Sequence, residues 1–242
     1  GALMVRYLKA NTVFTVSLVL LLVYWLILKT MGDPTDPYNM LTNAGTRLDL
    51  WLLGPDHLYH GEGVAFDPEG VLSTMPAIAN VTFGFAAGKW MQEKGRTWEG
   101  LTKLLMAGVA AVALALAWNQ FFPINKKLWT GSFVLLTVGI DCILLAFLAY
   151  VIDFLQRTRW TYFFEVFGKN PLFIYLLSEI GAILLWFVRV GENKQPLYAW
   201  VYQHIFSHAG AYLGSLLFAI AFMLVCWLVG YILDKRKIYV RV

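Results

Sequence analysis

What most constrains this chain is a series of long runs without a charged residue: 11–28, 71–88, 104–125, 171–178 with 180–188, and 195–233. At a rise of about 1.5 Å per residue, a helix of roughly 20 residues crosses about 30 Å of hydrocarbon. Inside a bilayer only helices and closed barrels satisfy their backbone groups, and these runs lack the alternation of barrel strands. The balance of 59% hydrophobic to 14% charged residues excludes an ordinary soluble domain, for which about 45–50% and about 25% are typical. The expected fold is therefore an all-α polytopic membrane protein with six transmembrane helices and short interfacial helices. The spans are placed near 11–30, 71–88, 103–121, 129–152, 171–190 and 211–233.

Charge then orients these spans. With both termini on one side, that side receives 13 of the 19 Lys and Arg residues, among them Arg6, Lys89, Arg96, Lys235 and Arg241. The bias puts both termini in the cytoplasm and accounts for the net charge of +4 without a nucleic-acid partner. Cys142 and Cys226 both fall in apolar runs, which excludes a disulfide framework and a paired-cysteine metal site. The whole of 1–242 reads as a single membrane domain.

The outer segment 32–70 is far longer than the roughly 2–8 residues usual between bundle helices, and long ordered loops tend to hold function. Within it Asn43 is placed to cap a short amphipathic helix over 44–53, with Leu48, Trp51 and Leu52 on one face against the outer interface. The stretch 196–208 has a similar helical pattern before the last span, with His204 and His208 one turn apart. Two such histidines without a third ligand make no zinc site, and no metal is expected.

Several groups of residues invite chemistry. Asp67-Pro68-Glu69-Gly70 opens the second span, where Asp67 fits as N-cap and Pro68 as first helical residue. The same two carboxylates could also hold an amine or sugar hydroxyls. Downstream, Pro76 should bend the span and leave a polar notch with Ser73, Thr74 and Asn80. Asn125-Lys126-Lys127-Leu128-Trp129 places lysines on the outer side beside a belt tryptophan, where they either snorkel or pair with Asp67 or Glu69. Gly168-Lys169-Asn170-Pro171 starts the fifth span with Asn170 as a cap, and its helix start with Lys169, Arg157 and Arg159 suits a phosphate. Asp141 and Glu179 lie in mid-span and should face protein or water.

These strings, together with Gly54-Pro55-Asp56-His57-Leu58-Tyr59 and Phe66-Asp67-Pro68-Glu69-Gly70-Val71-Leu72-Ser73-Thr74, resemble the heparan-alpha-glucosaminide N-acetyltransferase family and its bacterial relatives. The resemblance implies acetyl transfer from cytoplasmic acetyl-CoA to an amino sugar on the outer side. It casts Asp67 and Glu69 as catalytic groups that orient or deprotonate the acceptor. His57, Asn125, Lys126, Trp129 and Glu179 are cast as acceptor-binding residues, with Asn125 and Lys126 also suited to an oxyanion. Lys169, Asn170, Arg157 and Arg159 are cast on the CoA side. The family's further N-terminal spans, with a histidine proposed to take up the acetyl group, do not occur here, so the chain looks like the C-terminal part of such an acyltransferase, inactive alone. The expected setting is a bacterial inner membrane, the partners being lipids and the amino sugar, with a homodimer allowed. A transporter or lipid-linked-sugar carrier is the competing reading, supported by Asp141, Glu179 and Pro76.

Overall fold

The computed structural model describes residues 1–61, 63–191 and 194–240; Glu62 of the outer segment and Arg241 of the charge balance lie outside them. The helices are α1 (Ala2–Tyr7), α2 (Ala10–Met31), α3 (Ala44–Leu53), α4 (Thr74–Lys94), α5 (Trp98–Trp118), α6 (Gly131–Ala149), α7 (Thr161–Lys169), α8 (Pro171–Phe187), α9 (Leu197–Val201) and α10 (Ala211–Lys235). Among the described residues two two-residue strands, β1 (Arg189–Val190) and β2 (Gln195–Pro196), run antiparallel and pair Arg189 with Pro196 and Val190 with Gln195. All six expected spans are helical. Among the described residues four helices are long and apolar enough to cross a membrane: α2, α5, α6 extended by a π turn to Phe154, and α10. A fifth is reached if α7 and α8, which meet at 84°, form one broken span. The protein is thus an integral membrane protein of helical fold. The expected second span corresponds to α4, which has 21 residues but includes Asn80, Lys89, Glu93 and Lys94 and is not among those apolar helices.

The chain divides into two compact units, Gly1–Gln156 and Arg157–Val242. In the first, α4 packs on α2, α5 and α6. Leu21, Ala79, Phe83 and Val134 form one buried cluster, and Leu101, Leu104, Cys142, Ala146 and Ala149 another. Small residues let α5 and α6 approach closely: a Cβ on Gly108 would lie 2.8 Å from the Gly139 carbonyl oxygen, and one on Gly139 equally near that of Gly108. Between α2 and α4 a polar contact joins the Ser17 and Thr82 hydroxyls at 2.6 Å, each also donating to or bonding within its own helix. Such pairs hold membrane helices together where apolar burial offers little driving force.

Helix α3 begins where the sequence places it, with the Asn43 side chain accepting from the Thr46 amide at 3.0 Å. Its inward face is Ala44, Thr46 and Asp49, while Trp51 is 81% exposed and Leu52 and Leu53 are also exposed. The polar face is turned to the protein and the apolar face away from it, as suits a helix lying on a bilayer.

The expected kink at Pro76 is absent. Helix α4 starts only at Thr74, so Pro76 falls in its first turn, where the missing N–H has no helical partner to lose. In the second unit the stretch after β2 is a short α9 followed by a π turn over Tyr202–Phe206 and a 3-10 turn over Ser207–Ala209. There Phe163, Trp227 and Tyr231 stack in series, and the Trp227 indole donates to the Phe163 carbonyl at 3.0 Å.

Candidate functional site

The first unit holds a small polar crevice lined by Tyr24, Asn43, Asp49, Asp67, Ser73 and Lys127, among others. Three segments distant in sequence meet there: α3, the 67–70 turn, and the connection between α5 and α6. Each is held by local bonds. Asn125 Oδ1 accepts from the amides of Lys127 at 2.9 Å and Leu128 at 3.3 Å. The Thr130 hydroxyl donates to the Pro123 carbonyl at 2.9 Å and accepts from the Asn125 amide at 3.0 Å. Below them the buried Tyr24 hydroxyl donates to the Leu128 carbonyl at 2.6 Å. An apolar recess of about 480 Å3, also in this unit, is lined by Phe14, Ala86, Ala110 and similar residues, with Lys103 its one charged group. It lacks the polar groups that acyl-transfer chemistry needs.

Asp67 does not cap α4. Its Oδ1 accepts from the Glu69 amide at 2.9 Å, closing a turn on itself, and the Gly70 amide donates to the Asp67 carbonyl at 3.3 Å. Further turns over 71–75 intervene before the helix, whose N-cap is Ser73. The turn also packs on α3: a Cβ on Gly70 would lie 2.0 Å from Asp49 Oδ2. Asp67 is half-buried and Glu69 exposed.

Asp49 is the residue that sequence reasoning missed. It belongs to the outer segment 32–70, yet it is 3% exposed and its Oδ1 accepts from the Val71 amide at 3.0 Å. Burial pushes its carboxyl above the ordinary value, the Val71 bond opposes this, and the charge of Asp67 adds to the rise. An aspartate in place of an apolar residue on the inward face of α3, between Thr46 and Leu52, is the only sign the sequence offers. Both lysines are exposed, and of the two it is Lys127 that lines the crevice.

The other acceptor-side candidates are dispersed. His57 ends a 3-10 turn after α3 and is exposed, its Nδ1 2.9 Å from the Leu53 carbonyl oxygen. Asn125 spends its side-chain oxygen on the turn just described. Trp129, in a left-handed conformation with φ of 51°, packs on the Leu21, Ala79 and Phe83 cluster and against Phe133. Its buried indole N–H has no partner among the described residues, nor has Asn80 Oδ1 on α4. Glu179 on α8 and Asp141 on α6 are exposed. Within its own unit protein covers neither of them.

In the second unit, Lys169 donates to Asp234 Oδ1 at 2.9 Å, and Asp234 also accepts from the hydroxyls of Tyr162 at 2.8 Å and Tyr239 at 3.2 Å. Asn170 is fully buried, but its side chain does not cap α8 as expected. Its Nδ2 donates to the Ile238 carbonyl at 3.1 Å and its Oδ1 accepts from the Val240 amide at 2.8 Å. The C-terminal segment competes successfully for this amide because it offers both a donor and an acceptor. Pro171 is at the start of α8 as expected. Arg157 and Arg159 are exposed before α7.

No family model matches the chain. Over 166 residues, 62% of the chain, it is 31% identical to heparan-alpha-glucosaminide N-acetyltransferase of Homo sapiens. It is 30% identical over 166 residues to the Mus musculus protein of the same name. The chain spans about a quarter of the length of these curated relatives. The resemblance read from the motif strings therefore holds for a large part of the chain, which over those residues is similar to heparan-alpha-glucosaminide N-acetyltransferase.

Proposed function

We propose that this chain is the C-terminal part of a membrane acetyltransferase that moves an acetyl group from cytoplasmic acetyl-CoA to the amine of a glucosamine-like sugar on the outer side of a bacterial inner membrane. The observation that carries this reading is the 31% identity over 166 residues to a protein named as an N-acetyltransferase. The polar crevice supports placing the acceptor in the first unit, because it has Asp67 and Lys127 together at its walls.

The chemistry sets the roles. An amine attacks an acyl carbonyl only when neutral, so an incoming ammonium must first give up a proton. Asp67, half-buried and open to the crevice, is the group to orient the amine and accept that proton, with exposed Glu69 beside it. As the N–C bond forms, the bond from the carbonyl carbon to the acetyl carrier breaks, the C–S bond of acetyl-CoA in direct transfer or the C–N bond of an acetyl-histidine, and electron density gathers on the carbonyl oxygen and then on the departing sulfur or imidazole nitrogen, which takes up the proton the amine gives up. A cation near that oxygen stabilises the developing charge; Lys127 suits this better than Lys126, since it lines the crevice. His57 and Trp129 remain candidates for contact with the sugar ring, and Glu179 for a contact deeper in the membrane.

On the donor side, Arg157 and Arg159 fit CoA phosphates better than Lys169, whose charge is already met by Asp234. Asn170 supports that region by anchoring the C-terminal segment. Acetyl-CoA consumption by the full-length protein, with glucosamine as acceptor, tests the reading. N-acetylglucosamine should accumulate in step with free CoA. Sugar movement across the membrane without any CoA release would instead favour a carrier.

A further inference from the structure

We propose, on the reading of the chain as part of a longer membrane protein, that the Asp141 face of α6 docks a further transmembrane helix of that protein, from outside residues 1–242, and that this helix brings a basic side chain to the carboxyl at mid-depth. One side of α6 is already used: Gly139, Cys142, Ala146 and Ala149 are buried, and α6 packs on α5. Asp141 lies on the open side, exposed beside Ile140, Leu144, Phe147 and Leu148.

Depth is what leaves this face incomplete. The span runs from Gly131 to Phe154, so at about 1.5 Å per residue Asp141 lies roughly 15 Å from one end and roughly 20 Å from the other. An aspartate is too short to carry its carboxyl from there to the interface, as the long stems of Lys and Arg allow. Among the described residues its side chain has neither a hydrogen bond nor an ion pair. A carboxyl left to lipid at that depth is costly whether charged or neutral. Water would need polar walls to stay beside it, and the exposed neighbours on this face are isoleucine, leucine and phenylalanine. A protein partner with an apolar flank and one donor at the level of Asp141 satisfies both parts of the surface. Lys or Arg is the donor that matches a carboxylate in charge as well as in hydrogen bonding.

That donor has no source in this chain. The middle stretches of α2, α5, α6, α8 and α10 contain no Lys or Arg, and Lys29, Lys103 and Lys235 lie toward helix ends. A second copy would bring the same helices and set one Asp141 against another. The match to the curated relatives covers only a quarter of their length, so a protein of that size has ample chain from which to supply a further helix.

A photo-crosslinking residue at Leu144 of the full-length protein, in native membranes and with Asp141 intact, tests this by identifying the attached peptide. The expected product joins residue 144 to an apolar helix outside residues 1–242 with a Lys or Arg within about two turns of the attachment point. Asp141→Lys should lower the yield about fivefold, the size of one interhelical polar contact, and an acid in place of the identified basic residue should restore it. Crosslinks only to lipid, to residues 1–242 of the same or a second copy, or to a separate protein would overturn the proposal. So would a partner helix without a basic residue, or a charge swap that fails to restore the yield. If Asp141→Lys does not insert, Asp141→Asn decides, because a wild-type yield there would overturn the pairing equally. Acetyl-CoA turnover by the same membranes keeps the two readings apart. The expected crosslink without acetyl transfer removes the proposed activity and leaves the helix contact standing, whereas acetyl transfer without that crosslink overturns the helix contact alone.

Discussion

The Asp67 side chain accepts from the Glu69 amide through an oxygen that asparagine also possesses, so charge and turn geometry can be separated there. Asp67→Asn should retain the turn and lose no more than about 1 kcal/mol of stability, yet lower turnover by roughly 10²-fold, and Glu69→Gln should do likewise. Full acetyltransferase activity in both would move the acceptor site elsewhere. Asp49 makes a prediction about pH. Its carboxyl is raised above the ordinary 3.8, chiefly by burial, so the folded state holds the proton more tightly than the unfolded chain. The stabilisation this provides is complete below the unfolded value and is lost as pH rises through the folded one. Wild type should therefore lose unfolding temperature relative to Asp49→Asn as pH climbs from about 4 through the raised value. A difference that stays flat across that range would show that Asp49 is not a destabilising acid. Asp67 reads as an N-cap because Asp-Pro-Glu is a helix-start pattern, whereas in the fold its side chain closes a turn on the Glu69 amide, and the burial of Asp49 beside Gly70 comes from segments 21 residues apart that a local rule does not join.

Among the elements, α5 and α6 offer a sharp contrast between two glycines. A methyl group on Gly139 would meet backbone atoms of the facing helix, the Gly108 carbonyl oxygen at 2.8 Å and the Val112 amide nitrogen at 2.9 Å. These cannot move aside as a side chain can. Gly139→Ala should therefore cost about 1–3 kcal/mol. Gly84 on α4 has nothing within 4 Å of the same position, so Gly84→Ala should stabilise by roughly 0.5–1 kcal/mol through helix propensity alone. Thermal unfolding in detergent would show the two shifts with opposite sign, and a shift of the same sign would refute the close α5–α6 packing. Element boundaries followed local chemistry where a single cap decides them: Asn43 starts α3 where its sequence predicts. At Asn170 the side chain was claimed instead by residues 238 and 240, far away in sequence and invisible to a local rule.

For the whole molecule, the 13-to-6 division of Lys and Arg predicts that the outer segment and the 123–129 turn share one face, with residues 89–103 on the cytoplasmic side. Both native cysteines are buried, so single introduced cysteines can report on topology. In intact cells an impermeant thiol reagent should label Thr42→Cys and spare Arg96→Cys; efficient labelling at 96 would reverse the assignment. The sequence by itself determined that the chain is helical and integral to a membrane, where the helices begin to within a few residues, and which family it resembles. Those properties depend on apolar run length, caps and short strings, all of which are local. Tertiary structure alone decided that Lys127 rather than Lys126 reaches the crevice, that Lys169 is matched by Asp234, and that Asp49 lies under the 67–70 turn. Each is a contact between segments tens of residues apart, and the partner of a buried polar group is set by what the fold brings to it.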